Sequence, residues 1–252
     1  MTAPLVLLHG FMDTARTWEL VLPALERSHT VLAPNLSGHA GGPRFEPERG
    51  IAGVLDTIET VMDEAGFGTA HVAGNSFGGY LALQLAARGR ARSVVALAPA
   101  GGWAQGDQSW RETLSLQARI HAQTRLAAPQ ADRILATAEG RRSATQYITA
   151  NYEHIPVELL AHQLVGVAAC DAEPLFANVL REGWSLDAER IDCPVRIVWG
   201  TEDRLLPWPS TAARYREQLP QADWVVLDGV GHCPQLDVPL ETAQLILGFT
   251  AR

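Results

Sequence analysis

Six short apolar runs punctuate the chain, at residues 5–9, 30–34, 69–75, 93–98, 195–200 and 224–228. Most are continuous rather than alternating, and Gly or Pro bounds most of them. That pattern predicts strands buried on both faces, as in a parallel sheet covered by helices. Between them lie stretches with helical spacing at 16–25, 53–64, 77–87, 209–218 and 240–249. Strands alternating with helices predict an α/β fold, with a doubly wound, mostly parallel sheet of about six strands. Residues 101–184 break this alternation. They are rich in Ala, Gln, Arg and Leu at helical spacing, as in Trp110-Arg111-Glu112-Thr113-Leu114-Ser115-Leu116-Gln117. Four or so helices are expected there, broken at Pro129, Gly140, Pro156 and Pro174. The expected organisation is a core of residues 1–100 and 185–252 with residues 101–184 inserted. The Gly- and Pro-rich segment 38–50 reads as a mobile loop.

Composition narrows the function classes. At 252 residues, the chain can bury one substantial core. A formal charge of −8 speaks against nucleic acid as a partner, because phosphate binding needs clustered basic residues. All 20 basic side chains are Arg. Without lysine there is no Schiff base, no P-loop and no Ser-Lys dyad. Cys170, Cys193 and Cys233 are an odd, scattered set, which predicts neither a disulfide framework nor a zinc site. No pair of histidines has metal spacing on one helix face, so no metal and no cofactor is expected. A strand begins within five residues of the N-terminus and no apolar run approaches membrane-spanning length. A soluble, cytoplasmic protein without a membrane partner is the expectation, as monomer or homodimer.

The chemistry starts at Ser76. It lies in Gly74-Asn75-Ser76-Phe77-Gly78-Gly79, directly after the run at 69–75 and directly before the helical stretch at 77–87. G-x-S-x-G between a strand and a helix is the context of a nucleophile elbow, whose tight turn has no room for side chains at Gly74 or Gly78. A serine nucleophile needs a base and an acid that orients the base. Asp203 falls in the loop after the run at 195–200, and His232 in the turn after the run at 224–228. Both positions lie at the carboxyl ends of strands, where open α/β sheets collect ligands.

With Ser76, Asp203 and His232 in that order, the chain resembles the α/β-hydrolase superfamily over essentially its whole length. The His9-Gly10-Phe11 turn after the first strand adds to the likeness. The resemblance implies a Ser-Asp-His triad, an oxyanion hole made by the backbone N–H groups of Phe11 and Phe77, and a helical cap formed by the insertion. The family sheet usually opens with two further strands that this sequence lacks, which predicts a first edge less covered than usual. Asn35 stands where the family usually has Asp. Phe11, Trp103, Trp184 and Trp208 are the candidates for an apolar substrate pocket.

Each assignment has a competitor. His9 competes with His232 as base, but a histidine before the oxyanion glycine more often braces that loop. Glu202 and Asp228 compete with Asp203; Glu202 is expected to point away and Asp228 to cap its turn. His39, His71, His121, His154 and His162 read as structural or surface residues, and Cys233 as an inert buried filler. The expected reaction is hydrolysis of small, apolar carboxylic esters through an acyl-enzyme on Ser76. Alternatives are C–C bond hydrolysis of meta-cleavage type, lactonase or thioesterase activity, and, remotely, a non-catalytic ligand-binding protein on the same scaffold. C–C hydrolases usually carry Trp directly after the catalytic His, where this chain has Cys233 followed by Pro234, and that favours the esterase reading. Epoxide and haloalkane hydrolysis call for a carboxylate at the elbow, where this chain has Ser76.

Overall fold

The computed structural model describes residues 2–251. Six strands form one sheet: β1 (Ala3–Leu8), β2 (His29–Leu32), β3 (Ala70–Asn75), β4 (Ala91–Leu97), β5 (Val195–Gly200) and β6 (Asp223–Leu227). Their order is β2-β1-β3-β4-β5-β6 and every adjacent pair is parallel. The chain winds from β1 outward to β2, then crosses back to place β3 on the other side of β1. The order therefore reverses between β1 and β3, and a crevice opens at their carboxyl ends.

The period-2 geometry of a strand sorts each apolar run onto two faces. Val6, Leu8, Val72, Val94, Ile197 and Trp199 face one layer, with Val54, Leu55, Ile58 and Met62 of one helix and most of a second helix packed on them. Leu5, Leu7, Ala73, Val95, Leu97 and Val198 face the other layer, against Trp18, Leu25, Ala243, Ile246 and Phe249. Both faces are covered, which is why these strands read as continuous apolar runs.

The helices follow in chain order. A 3-10 turn (Ala15–Trp18) precedes the short α1 (Leu22–Leu25), so the single helix expected at 16–25 is broken in two. Next come α2 (Gly50–Glu64) and α3 (Phe77–Ala87). Between β4 and β5 the chain leaves the sheet and forms α4 (Trp110–Ala127), α5 (Ala131–Leu135), α6 (Ala138–Thr145), α7 (Val157–Ala169) and α8 (Ala172–Glu182). The core resumes with α9 (Ala213–Gln218), α10 (Pro234–Asp237) and α11 (Pro239–Thr250). Strand β2 is a sheet edge on which only His29 is buried.

Some local expectations need correction. Gly140 does not break a helix but lies in the first turn of α6, where a Cβ would stand 1.8 Å from the Ile134 carbonyl oxygen. Pro174 likewise sits in the first turn of α8, whose amides have no partner in the helix and so tolerate proline. Segment 38–50 has no regular structure before α2, yet it is tied down. Gly38 N–H donates to Pro43 O at 2.8 Å, Asp171 N–H donates to Gly38 O at 2.8 Å, and Phe45 is buried in the core.

Close backbone contacts join α3 to β3 and β1. A Cβ on Gly74 would lie 2.1 Å from the Gly78 oxygen, and one on Gly78 would lie 2.1 Å from the Leu8 oxygen. All of those neighbours are backbone and cannot give way. Gly78→Ala is expected to lower stability in urea denaturation by about 3 kcal/mol or more, through overpacking. Gly66→Ala, with a φ of +75° but nothing within 4 Å, is expected to cost only about 1 kcal/mol.

Candidate active site

Among the described residues, three that are not glycine have positive φ: Met12 (62°), Ser76 (56°) and Ala98 (41°). They follow β1, β3 and β4 at the carboxyl edge of the sheet, so backbone strain collects around one place. Ser76 has ψ −116° and hands the chain directly to α3. Its own amide donates to Leu97 O at 2.8 Å, and its carbonyl accepts from Tyr80 at 3.0 Å and from Ala100 at 3.0 Å. The backbone is held on three sides while the side chain faces a cavity.

That cavity has a volume of about 300 Å³. Ser76, His232, Cys233 and the Gly10–Asp13 turn line it from the core; Gln117, Tyr147, Leu160 and Gln163 line it from the inserted helices. Gly10 comes so close to the elbow that a Cβ there would lie 3.4 Å from the Ser76 Cβ. The Phe11 and Phe77 amides carry no hydrogen bond among the described residues.

His232 and Asp203 meet in the interior. His232 Nδ1 donates to Asp203 Oδ2 at 2.7 Å, and both side chains are buried. Asp203 Oδ1 accepts the Leu205 and Leu206 amides at 2.9 and 2.7 Å, which fixes the carboxylate plane. With Nδ1 carrying the proton, Nε2 keeps its lone pair, and it has no partner among the described residues. The loop is drawn to the elbow by Asn75, whose Nδ2 donates to His232 O at 2.9 Å. The competitors lie elsewhere. Asp228 accepts from the Thr201 hydroxyl at 3.2 Å and Glu202 is exposed. His9 braces two loops: Nε2 accepts the Leu36 amide at 2.9 Å and Nδ1 donates to Gly10 O at 2.8 Å. Burial first, and then neighbouring His39, holds the His9 pKa well below its ordinary value. His39 is buried beside it, with Nδ1 donating to Ser37 O at 3.1 Å.

The pocket candidates divide. Phe11 lines the cavity of about 300 Å³ and a recess of about 30 Å³ that Ser76 also lines. Trp103 and Trp184, stacked at 6.2 Å between centroids, line that recess and a separate pocket beside Arg214, but not the cavity that His232 lines. Trp208 lines neither. It lies 6.0 Å from the Trp199 ring and 5.9 Å from the Trp224 ring, with the Arg216 guanidinium 5.4 Å above it, because β5 and β6 offer it an aromatic slot away from the cavity. Cys233 is buried at the cavity wall, where burial pushes its thiol well above the usual value.

Two carboxylates were not singled out by the sequence pattern. Asp237 is buried and accepts four donors: Gly231 N–H at 2.5 Å, and Ala150 N–H, Asn151 N–H and Asn151 Nδ2 at 2.8 Å each. It pins the residue before His232 to the inserted segment, and Cys233 N–H donates to Ile148 O at 2.7 Å alongside. Asp13 faces the cavity with its pKa raised to about 6. Burial is the main cause; hydrogen bonds from Thr14, Thr17 and Gln163 and the nearby His232 ring pull the other way.

The α/β-hydrolase family pattern matches residues 5–245. This chain belongs to that family. It is 32% identical over 198 residues to the epoxide hydrolase EphH of Mycobacterium tuberculosis, covering 78% of this chain and 92% of that one. Among solved structures it is similar to the enol-lactonase of Burkholderia xenovorans (TM-score 0.74, 19% identity, 100% of this chain and 93% of that one). It is also similar to the carboxylesterase CesB of Bacillus subtilis (TM-score 0.74, 20% identity, 98% and 83%). The α/β-hydrolase fold and the hydrolase class follow. No described helix is long and apolar enough to cross a membrane.

Removing the Asp237 carboxylate strands the buried Gly231 amide and takes the acceptor from the amides of the exposed residues Ala150 and Asn151. Asp237→Ala is expected to lower stability in urea by more than about 2 kcal/mol, with Asp237→Asn milder because one acceptor oxygen survives. Asp13 makes a pH-dependent contribution. Its folded pKa exceeds the ordinary 3.8, so the folded protein binds the proton more tightly and loses stability as pH rises from about 4 to about 6. Asp13→Asn is expected to match the parent in unfolding free energy from urea titration below pH ~4 and to exceed it by up to about 3 kcal/mol at pH ~8.

Proposed function

We propose that this α/β-hydrolase is a serine hydrolase that cleaves small carboxylic esters through an acyl-enzyme on Ser76. The observation that carries this reading is the His232 imidazole, fixed by Asp203 at Nδ1 and unpartnered at Nε2, on the wall of the cavity that Ser76 faces. Ser76 Oγ attacks the ester carbonyl carbon while Nε2 takes its proton. The Phe11 and Phe77 amides hold the oxyanion of the tetrahedral intermediate, and such donors contribute about 3 kcal/mol each when aimed in advance. Asp203 keeps the imidazole in one tautomer and stabilises the imidazolium. His232 then protonates the departing alcohol. Water, deprotonated by the same nitrogen, attacks the acyl-enzyme, and Ser76 leaves with the proton.

Residues 101–184 act as the cap, with residues 1–100 and 185–252 as the catalytic core. The cavity of about 300 Å³ suits a modest substrate rather than a long-chain triglyceride. The epoxide hydrolase relative raises a second chemistry. Opening an epoxide through an alkyl-enzyme requires a carboxylate nucleophile, and the elbow here bears Ser76. A C–C hydrolase reading fits less well: a ring-fission diketone bearing a carboxylate would meet Asp13, and no arginine among the described residues lines the cavity. Lactones remain within the same mechanism, because a lactone is an internal ester.

Wild-type protein is expected to release p-nitrophenol from p-nitrophenyl butyrate. Ser76→Ala and Asp203→Asn are each expected to lower kcat by about 10⁴-fold. A folded wild type without turnover on this ester, or a Ser76→Ala protein that keeps its rate, would sink the esterase reading.

A further inference from the structure

The cavity holds a carboxyl that the proposed reaction does not use. Asp13 is the one acid among the described residues lining the cavity. Its Oδ1 accepts the Thr14 amide at 2.8 Å and the Gln163 side-chain amide at 3.4 Å, and the Thr17 hydroxyl bonds the carboxylate as well. A carboxylate offers about four acceptor positions, so three donors leave it with capacity toward the cavity. Gln163 reaches Asp13 from α7, in the inserted segment, and is itself buried. Its Oε1 has no partner among the described residues. This end of the cavity therefore has a surplus of acceptors and a shortage of donors.

The surplus is coupled to the reacting residues. Gln235 Nε2 donates to the Thr17 hydroxyl oxygen at 3.1 Å and to Asn75 Oδ1 at 3.2 Å, and Asn75 in turn donates to His232 O at 2.9 Å. Thr17 thus accepts from Gln235 and is free to donate its hydroxyl hydrogen to Asp13. A chain of hydrogen bonds runs from the cavity carboxyl to the residue before Ser76. Around it the wall is largely apolar, with Phe11, Met12, Leu160, Leu164 and Val167.

We propose that Asp13 and Gln163 form a polar subsite that accepts a neutral hydrogen-bond donor of the substrate, a hydroxyl or an amide N–H. The substrate class is then hydroxy- or acylamino-substituted esters and lactones, ahead of plain alkyl esters and of substrates bearing a carboxylate. The subsite refines the serine-hydrolase reading and rests on it for the bond that is cleaved, but not for the recognition itself. A buried acceptor pair left empty by an alkyl substrate is the physical source of the discrimination.

The test compares matched pairs that differ only in one hydroxyl. On the acyl side they are p-nitrophenyl 3-hydroxybutyrate and p-nitrophenyl butyrate; on the alcohol side, 2-hydroxyethyl butyrate and propyl butyrate. In one of the pairs the wild type is expected to favour the hydroxyl compound in kcat/KM by about 10-fold, the worth of one buried hydrogen bond. Asp13→Asn and Gln163→Met are each expected to bring that ratio toward one. A loop merely loosened by the substitution slows both members alike and leaves the ratio standing. The same discrimination is measured without turnover by calorimetry on Ser76→Ala, using the amide counterparts of all four esters. Preferential binding of a hydroxyl amide that Asp13→Asn abolishes supports the subsite even if no ester is hydrolysed, an outcome that would remove the esterase reading alone. Equal binding and equal rates within both pairs, or a preference that survives both substitutions, overturns the subsite.

Discussion

Gly74 lets β3 meet α3 and Gly78 lets α3 meet β1 at backbone distance, and the placement of the candidate site depends on those approaches. With 2.1 Å between a hypothetical Cβ at either position and a backbone oxygen, no other residue fits without moving the sheet against the helix. The close approach forces the turn at Ser76 into φ 56°, a conformation that costs a non-glycine residue about 1–3 kcal/mol. The surrounding structure holds it there through the Leu97, Tyr80 and Ala100 hydrogen bonds. One consequence is that the first amides of α3 end without intrahelical partners beside a cavity, where the helix N-terminus favours developing negative charge.

Three buried or cavity-facing aspartates around this turn differ only in the donors that meet them. Asp203 receives two amides and an imidazole, which leaves it a fixed partner for His232. Asp237 receives four donors from two stretches of chain and ties the His232 turn to the inserted segment. Asp13 receives three donors, one of them a long 3.4 Å bond from Gln163, and burial outweighs them and raises its pKa to about 6. The sorting follows from hydrogen-bond supply: donors to a carboxylate favour its charged form and burial opposes it.

The strands were legible because a parallel sheet covered on both faces demands uninterrupted apolar runs, and six such runs became six strands. Ser76, Asp203 and His232 were legible because each follows such a run, so sheet geometry alone carries them to one edge. Other features follow from contacts that no local pattern encodes. Gly140 and Pro174 read as helix breakers, yet both sit in first turns, where helix amides need no intrahelical partner and glycine's missing side chain makes room for the Ile134 carbonyl. Segment 38–50 reads as mobile from its glycines and prolines, while Phe45 and the Gly38 hydrogen bonds anchor it. Trp208 looked like a pocket residue from its place after the Asp203 loop, but the aromatic neighbours Trp199 and Trp224 lie on strands adjacent only in the sheet.

By itself, the sequence determined the α/β class, the strand order along the chain and which residues stand at the carboxyl edge, because these depend on periodicity and on glycine at two sterically closed positions. The tertiary structure decided what those residues face. The unpartnered Nε2 of His232, the latch at Asp237 and the donor-poor setting of Asp13 all involve partners far away in sequence: 29 residues for His232 and Asp203, 87 for Asp237 and Ala150, and 150 for Asp13 and Gln163. Burial and hydrogen-bond supply are properties of the assembled neighbourhood, and they set the electrostatics of the cavity only once the inserted helices lie over the sheet.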